Sequence, residues 1–393
     1  MAALLAASTA LLGIAVAHAA PPDDAIARAG KYLVARQTAD GGWMSQPVEQ
    51  VAEGALGLVS ASITDAPLTK ALNYIAEHGP ADATRASQTA RVILAVVAAG
   101  KNPRDFGKVD YVGRLRTYYN PTNGNYDPST DPNSLSILAL AAAKDPIPGH
   151  AIGSLQDRQC SDGGFPRAAC LLGSDVTSTS LVLEALTAAG VGPSDPVYGK
   201  ARGYLATAQN ADGGFGPGAG QATEAVPTAT GLSAIAVMGE SPESLPWRKS
   251  PNADPVLALL ALQDTTTGGF RPDASTTAPD DLTTARALPG LAGRALPLRP
   301  SPPKPATTTT QGAVATSTTL GQPIRGATVP RSRTTRTTKP AVEETTTTQP
   351  DVTLAAPANR GDSGRSLIGL LPFVATLFGA GAVGVVLRRR ART

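Results

Sequence analysis

Aromatic residues make up only 4% of this 393-residue chain, which also holds just two cysteines, three histidines and 17% charged residues. Each scarcity closes a chemical route. Apart from His18 near the N-terminus, the only histidines are His78 and His150, so general acid–base work falls to carboxylates. No Gly-x-Ser-x-Gly elbow, His-Glu-x-x-His pair or phosphate-binding glycine loop occurs, which removes the usual marks of serine hydrolases, zinc proteases and nucleotide hydrolases. The net charge of +3 is a sum of unlike parts: residues 20–295 carry 21 Lys+Arg against 27 Asp+Glu, and residues 296–393 carry 13 against 4. An acidic body does not suit a polyanion, so no nucleic-acid partner is expected.

The two ends read as membrane addresses. An apolar run over residues 3–17 leads to Ala17-His18-Ala19, which fits a signal peptide over 1–19 with small residues at its cleavage site, although no Lys or Arg precedes the run. Residues 367–387 hold no charge, enough length at about 1.5 Å per residue to cross a bilayer core of about 30 Å. Arg388-Arg389-Arg390 follow, so residues 388–393 are expected as a cytoplasmic tail, with the body outside the cell. Between body and anchor, residues 301–350 contain 16 Thr and 7 Pro. Such a composition cannot bury enough apolar surface to offset the entropy of ordering, and 296–366 reads as a disordered stalk.

The body, residues 20–295, repeats itself. One phrase recurs as Leu33, Gln37, Asp40-Gly41-Gly42-Trp43; Leu155, Gln159, Asp162-Gly163-Gly164-Phe165; and Leu205, Gln209, Asp212-Gly213-Gly214-Phe215. Looser copies are Leu259, Gln263, Gly268-Gly269-Phe270 and Leu115, Tyr119, Gly124-Asn125-Tyr126. The Leu and Gln, four apart, predict a helix end at the Gln, whose amide can bond orphan backbone groups. Paired glycines permit the positive φ of a tight reversal. A second helical run, rich in small residues, follows each phrase: Val48–Ser62, Ala83–Ala99, Pro132–Lys144, Asp175–Ala189, Ala222–Met238 and Asp281–Ala292. Small residues let helices approach closely, as an inner ring requires. The expected fold is all-α, a six-hairpin α/α toroid followed by the stalk and one transmembrane helix.

These Gln-x-x-Asp-Gly-Gly-[Trp/Phe] phrases with their small-residue helices resemble the repeats of the prenyltransferase and squalene–hopene cyclase toroid superfamily, over about residues 22–295. The resemblance extends to the barrel of secreted cobalamin carriers, which implies a cobalamin-like ligand as one option; no other cofactor is expected. A cyclase of this kind would carry an Asp-x-Asp-Asp acid. The nearest match is Asp280-Asp281, with Ala278 at the first Asp position, and adjacent Asp residues before a helix also serve as N-caps. Cyclisation would further need aromatic faces for developing cations, whereas the six inner runs contain no Phe, Tyr or Trp. The zinc ligands of prenyl transfer lack a counterpart, so no metal is expected. Cys160 and Cys170 bracket a nine-residue turn; outside the cell they predict a disulfide, stapling the loop by about 2 to 3 kcal/mol.

Polar residues gather at the starts of the inner runs: Asp175, Thr177 and Thr179; Glu224 and Thr228; Asp280, Asp281 and Thr284; with Glu53 and Gln88 in earlier copies. They are the candidate ligand-binding set, at one mouth of the barrel, with ordinary helix capping as the other explanation. The expectation is a surface-anchored, non-catalytic toroid that binds a small molecule or a surface protein. The alternative is a divergent terpenoid cyclase or prenyltransferase-like enzyme with Asp280 or Asp281 as acid.

Overall fold

A computed structural model describes residues 22–43 and 47–299. The expected signal peptide, the stalk beyond residue 299, the helix over 367–387 and the basic tail lie outside the described residues. Within the described residues, no helix is long and apolar enough to cross a membrane.

The described chain is twelve α-helices and one 3-10 turn, with isolated bridges but no strand. They alternate as outer and inner members of six hairpins. The outer helices are α1 (Pro22–Arg36), α3 (Ala66–Asp82), α5 (Tyr111–Thr117), α7 (Gly149–Gln156), α9 (Pro196–Ala208) and α11 (Pro255–Ala261). The inner ones are α2 (Val48–Ser60), α4 (Ala86–Ala98), α6 (Thr130–Ala142), α8 (Val176–Ala188), α10 (Ala225–Val237) and α12 (Asp281–Leu291). Each inner helix packs on the next, and α12 returns to α2. The ring is therefore closed, although the α3–α4 hairpin lacks the glycine phrase. Inner helices follow the small-residue runs because Ala, Gly, Ser and Thr can be buried on nearly every side where two neighbours and an outer helix meet; in α10 nine of thirteen residues are buried.

The phrases rivet successive hairpins. The Gln amide nitrogen donates to two carbonyls: one of its own first glycine, and one near the next outer helix. Gln159 Nε2 reaches Gly163 O and Val197 O at 2.9 Å each, Gln209 reaches Gly213 O and Trp247 O, and Gln37 reaches Gly41 O and Pro67 O. The amide oxygen is used differently: in Gln263 it accepts Arg28 Nη2 of α1 at 2.8 Å, and in Gln209 it is buried without a partner among the described residues. Gln263 makes the same pair with Gly268 O at 2.9 Å and Ala25 O at 2.8 Å, joining the last hairpin to the first helix. The first glycine has φ near +90° at Gly163 and Gly213, and a Cβ there would strike the backbone of Lys200 or Asp254. Glycine thus meets both a conformational and a steric requirement. Replacing Gln263 by Ala strips two buried carbonyls of their donor and is expected to cost about 2 kcal/mol or more, read from urea unfolding; an unchanged midpoint would remove the rivet role.

The phrase aromatics Trp43, Phe165, Phe215 and Phe270 are buried behind the inner helices, where Trp43 lies against Gly54 and Phe215 against Gly231. The Cys160–Cys170 disulfide forms as expected, with Cα atoms 5.5 Å apart. One boundary shifts: residues 296–298, expected as stalk, belong to the packed body, with Leu298 only 3% exposed.

Candidate functional site

The inner helices enclose a cavity of about 390 Å³. Its wall is largely aliphatic, from Leu56, Leu135, Leu181, Val226, Ala229 and Leu296, and among the described residues no aromatic ring lines it. The C-terminal ends of the inner helices are spanned by a strap, residues 294–298. Arg294 Nη1 donates to Val59 O at 2.9 Å, and Leu296 N–H donates to Glu184 Oε2 at 2.6 Å.

Four carboxyls and three guanidinium groups face this space. Glu53 pairs with Arg91 at 2.6 Å and Arg286 at 3.6 Å. Burial opposes its charge, yet the two arginines outweigh that cost and hold its pKa below the ordinary value. Glu184 has no cation beside it. Burial, against only the opposing Leu296 bond, pushes its pKa up to about 8, so it is mainly protonated at neutral pH. Asp131 is raised by burial although the Ser178 hydroxyl donates to it at 2.5 Å. Glu224 is raised by burial and by the charges of Asp273 and Asp175.

Of the sequence-derived candidates, Glu53, Thr177 and Glu224 line the cavity. Asp175 stands at the rim as the N-cap of α8, accepting from Ser178 N at 2.8 Å and paired with Arg167 at 3.2 Å. Thr179, Thr228 and Thr284 are fully buried and turned the other way. Each hydroxyl donates to the carbonyl four residues back and accepts the backbone N–H of its phrase aromatic, Phe165, Phe215 or Phe270. Their role is to seat the rings. Gln88 bonds Glu49 and the Thr84 backbone outside the cavity. Asp280 caps α12 through Thr283 N at 2.7 Å, and Asp281 is ion-paired to Arg36 of α1 at 3.1 Å. Neither lines the cavity.

Reading only helix starts missed Arg91, Arg167, Glu184 and Arg286, and Asp131, in the first turn of α6, fell one residue before the run read as Pro132–Lys144. A signal existed for some of them: Arg91 and Glu184 are the only charged residues of α4 and α8, each well past the first turn. A lone charge inside an inner helix has nowhere to point but a shared cavity or a buried partner.

No protein-family model matches the sequence, and no curated protein matches it. Solved structures do. An apo variant of the type II terpene cyclase MstE from Scytonema superposes with a TM-score of 0.51 at 15% identity, covering 70% of this chain and 96% of that one. Another MstE variant, in complex with its substrate geranylgeranyl dihydroxybenzoate, gives 0.50 at 16%, covering 70% and 97%. The protein geranylgeranyltransferase-I of Candida albicans gives 0.46 at 15%, covering 68% and 90%. The chain has the α/α toroid fold of the type II terpene cyclase MstE. Within this toroid, the two features that polyene cyclisation would use stand outside the cavity: Asp280-Asp281 serves as helix cap and ion pair, and the aromatic rings sit behind the inner helices.

Proposed function

We propose that this toroid binds a small amphiphilic molecule in its central cavity, with the ligand's apolar part against the aliphatic wall, and that it does so outside the cell, held by the C-terminal segment. The observation that carries this reading is a partly enclosed space of about 390 Å³ inside the ring, with a largely aliphatic wall, within the size range of small-molecule sites. If a methylene takes about the 30 Å³ that a water molecule takes in the liquid, the space holds on the order of a dozen heavy atoms. A fold neighbour that carries a prenyl-tailed substrate supports the same ligand chemistry. The test is saturable binding of a small neutral apolar dye, 1-aminonaphthalene, and its displacement by geraniol. Leu181→Trp, which fills the wall, is expected to weaken both at least tenfold. Binding that never saturates, or that ignores the filled cavity, rules the reading out.

A second reading is favoured by one observation: Glu184 is a buried carboxyl on the cavity wall that accepts the Leu296 N–H, and burial pushes its pKa up to about 8. Acid catalysis on the bound molecule would then use Glu184 rather than Asp280 or Asp281. Conversion of an isoprenoid by the protein, lost in Glu184→Gln with binding retained, would select catalysis over carriage.

A further inference from the structure

The charged lining of the cavity sorts into two ends. Deep in the ring, Arg91 and Arg286 both face Glu53, so the guanidinium groups there are already occupied. Toward the ends where the inner helices begin, the cation is Arg167, and it is paired with Asp175 at 3.2 Å. Two further carboxyls at that end have no such partner. Asp131 holds only the Ser178 hydroxyl, and among the described residues the Glu224 side chain has no hydrogen-bond or ion-pair partner.

Both carboxyls bear the cost of partial burial and of like charges close by. Asp175 acts on each of them, and Asp273 on Glu224. An opposite charge brought to this end relieves that cost, while an anion adds to it. Arg167 acts the other way on both carboxyls, and Arg91 on Asp131, but more weakly than burial and Asp175, since each guanidinium is engaged by a carboxylate of the protein. A metal ion is a poor fit: among the described residues no three His, Cys, Asp or Glu side chains could hold one. An ammonium group presents three donors and no acceptor, which matches two under-bonded carboxylates, and the aliphatic wall of Leu135, Leu181 and Val226 continues inward from them.

We propose that the cavity selects a cationic amphiphile, with an organic ammonium head received by Asp131 and Glu224 and an aliphatic chain along Leu135, Leu181 and Val226. This rests on the central cavity being a ligand site. It goes further by naming the sign of the head group, and three probes of one chain length separate the two claims, decylammonium, decanol and decyl sulfate, with ethylammonium as a head lacking its chain, each titrated calorimetrically below any micelle concentration at pH 7.

Decylammonium is expected to bind at least tenfold more tightly than decanol, with no saturable binding of decyl sulfate or ethylammonium. Asp131→Asn and Glu224→Gln should each weaken decylammonium about tenfold and leave decanol unchanged. Both substitutions keep the side-chain shape, and an unchanged thermal midpoint verifies the fold. Decanol binding as well as decylammonium, or decyl sulfate binding better, overturns the cation preference while the cavity site survives. A failure of every chain-bearing probe overturns the site itself and this inference with it.

Discussion

Gly290→Ala is expected to destabilise the toroid by about 3 kcal/mol, a large loss for the addition of one methyl group. Gly290 is the point at which α12 crosses α10. A Cβ there would run into the Ala229 carbonyl oxygen and lie 2.6 Å from its carbon. Overpacking in a core costs about 1 to 3 kcal/mol when neighbouring side chains can turn aside. Here the obstacle is backbone, so the two helices must part, and each is also locked to another inner helix around the closed ring. Against this, alanine improves helix propensity by about 1 kcal/mol, which does not offset the clash. Gly203 of α9 provides the opposite sign: it is helical and exposed, and a Cβ there meets nothing within 4 Å. Gly203→Ala is expected to stabilise by about 0.5 to 1 kcal/mol. Denaturant unfolding of both variants decides the matter; shifts of the same sign would show that the crossing at Gly290 is not tight.

Glu184 gives the protein a stability that falls as pH rises. In the unfolded chain a glutamate ionises near pH 4.3, whereas in the ring burial moves it to about 8. Between those values the folded state holds a proton that the unfolded state has released, so stability falls by about 1.4 kcal/mol per pH unit from this group. The stabilising difference is complete below about pH 4, is lost through the window, and changes no further above about pH 8. The whole span is on the order of 5 kcal/mol. In Glu184→Gln the amide oxygen can still accept the Leu296 N–H, and the titration is gone. Asp131 and Glu224 are raised too, but they are present in both proteins, so the wild-type minus variant difference isolates Glu184. The variant should match the wild type near pH 4 and be more stable at pH 8.5 by about 5 kcal/mol. Parallel pH profiles would mean that Glu184 is charged and compensated by some other group.

How much of this was legible in the chain depends on the range of the interaction. The inner runs were readable to within about three residues, because a helix buried on nearly every side must be made of small and aliphatic residues throughout. The glycine phrases marked the reversals, since only glycine accepts φ near +90° where another backbone is adjacent. The disulfide followed from two cysteines around one short turn. The site was only partly readable. Glu53, Thr177 and Glu224 were found by helix position, but Thr179, Thr228 and Thr284 begin their helices in the same way and point to the phrase aromatics instead. Rotation about the helix axis separates the two groups, and a start signal does not contain it.

Local rules therefore determined the helices, the hairpin repeat and the glycine reversals of this protein, because each rests on residues a few positions apart. Tertiary structure alone decided which charges meet. Glu53 joins Arg91 and Arg286, Asp281 is turned outward to Arg36, and Glu184 lies against Leu296, 112 residues further on. The physical reason is that closing the ring brings one face of six separate helices around a single space, and the free energy of a charge depends on what shares that space with it.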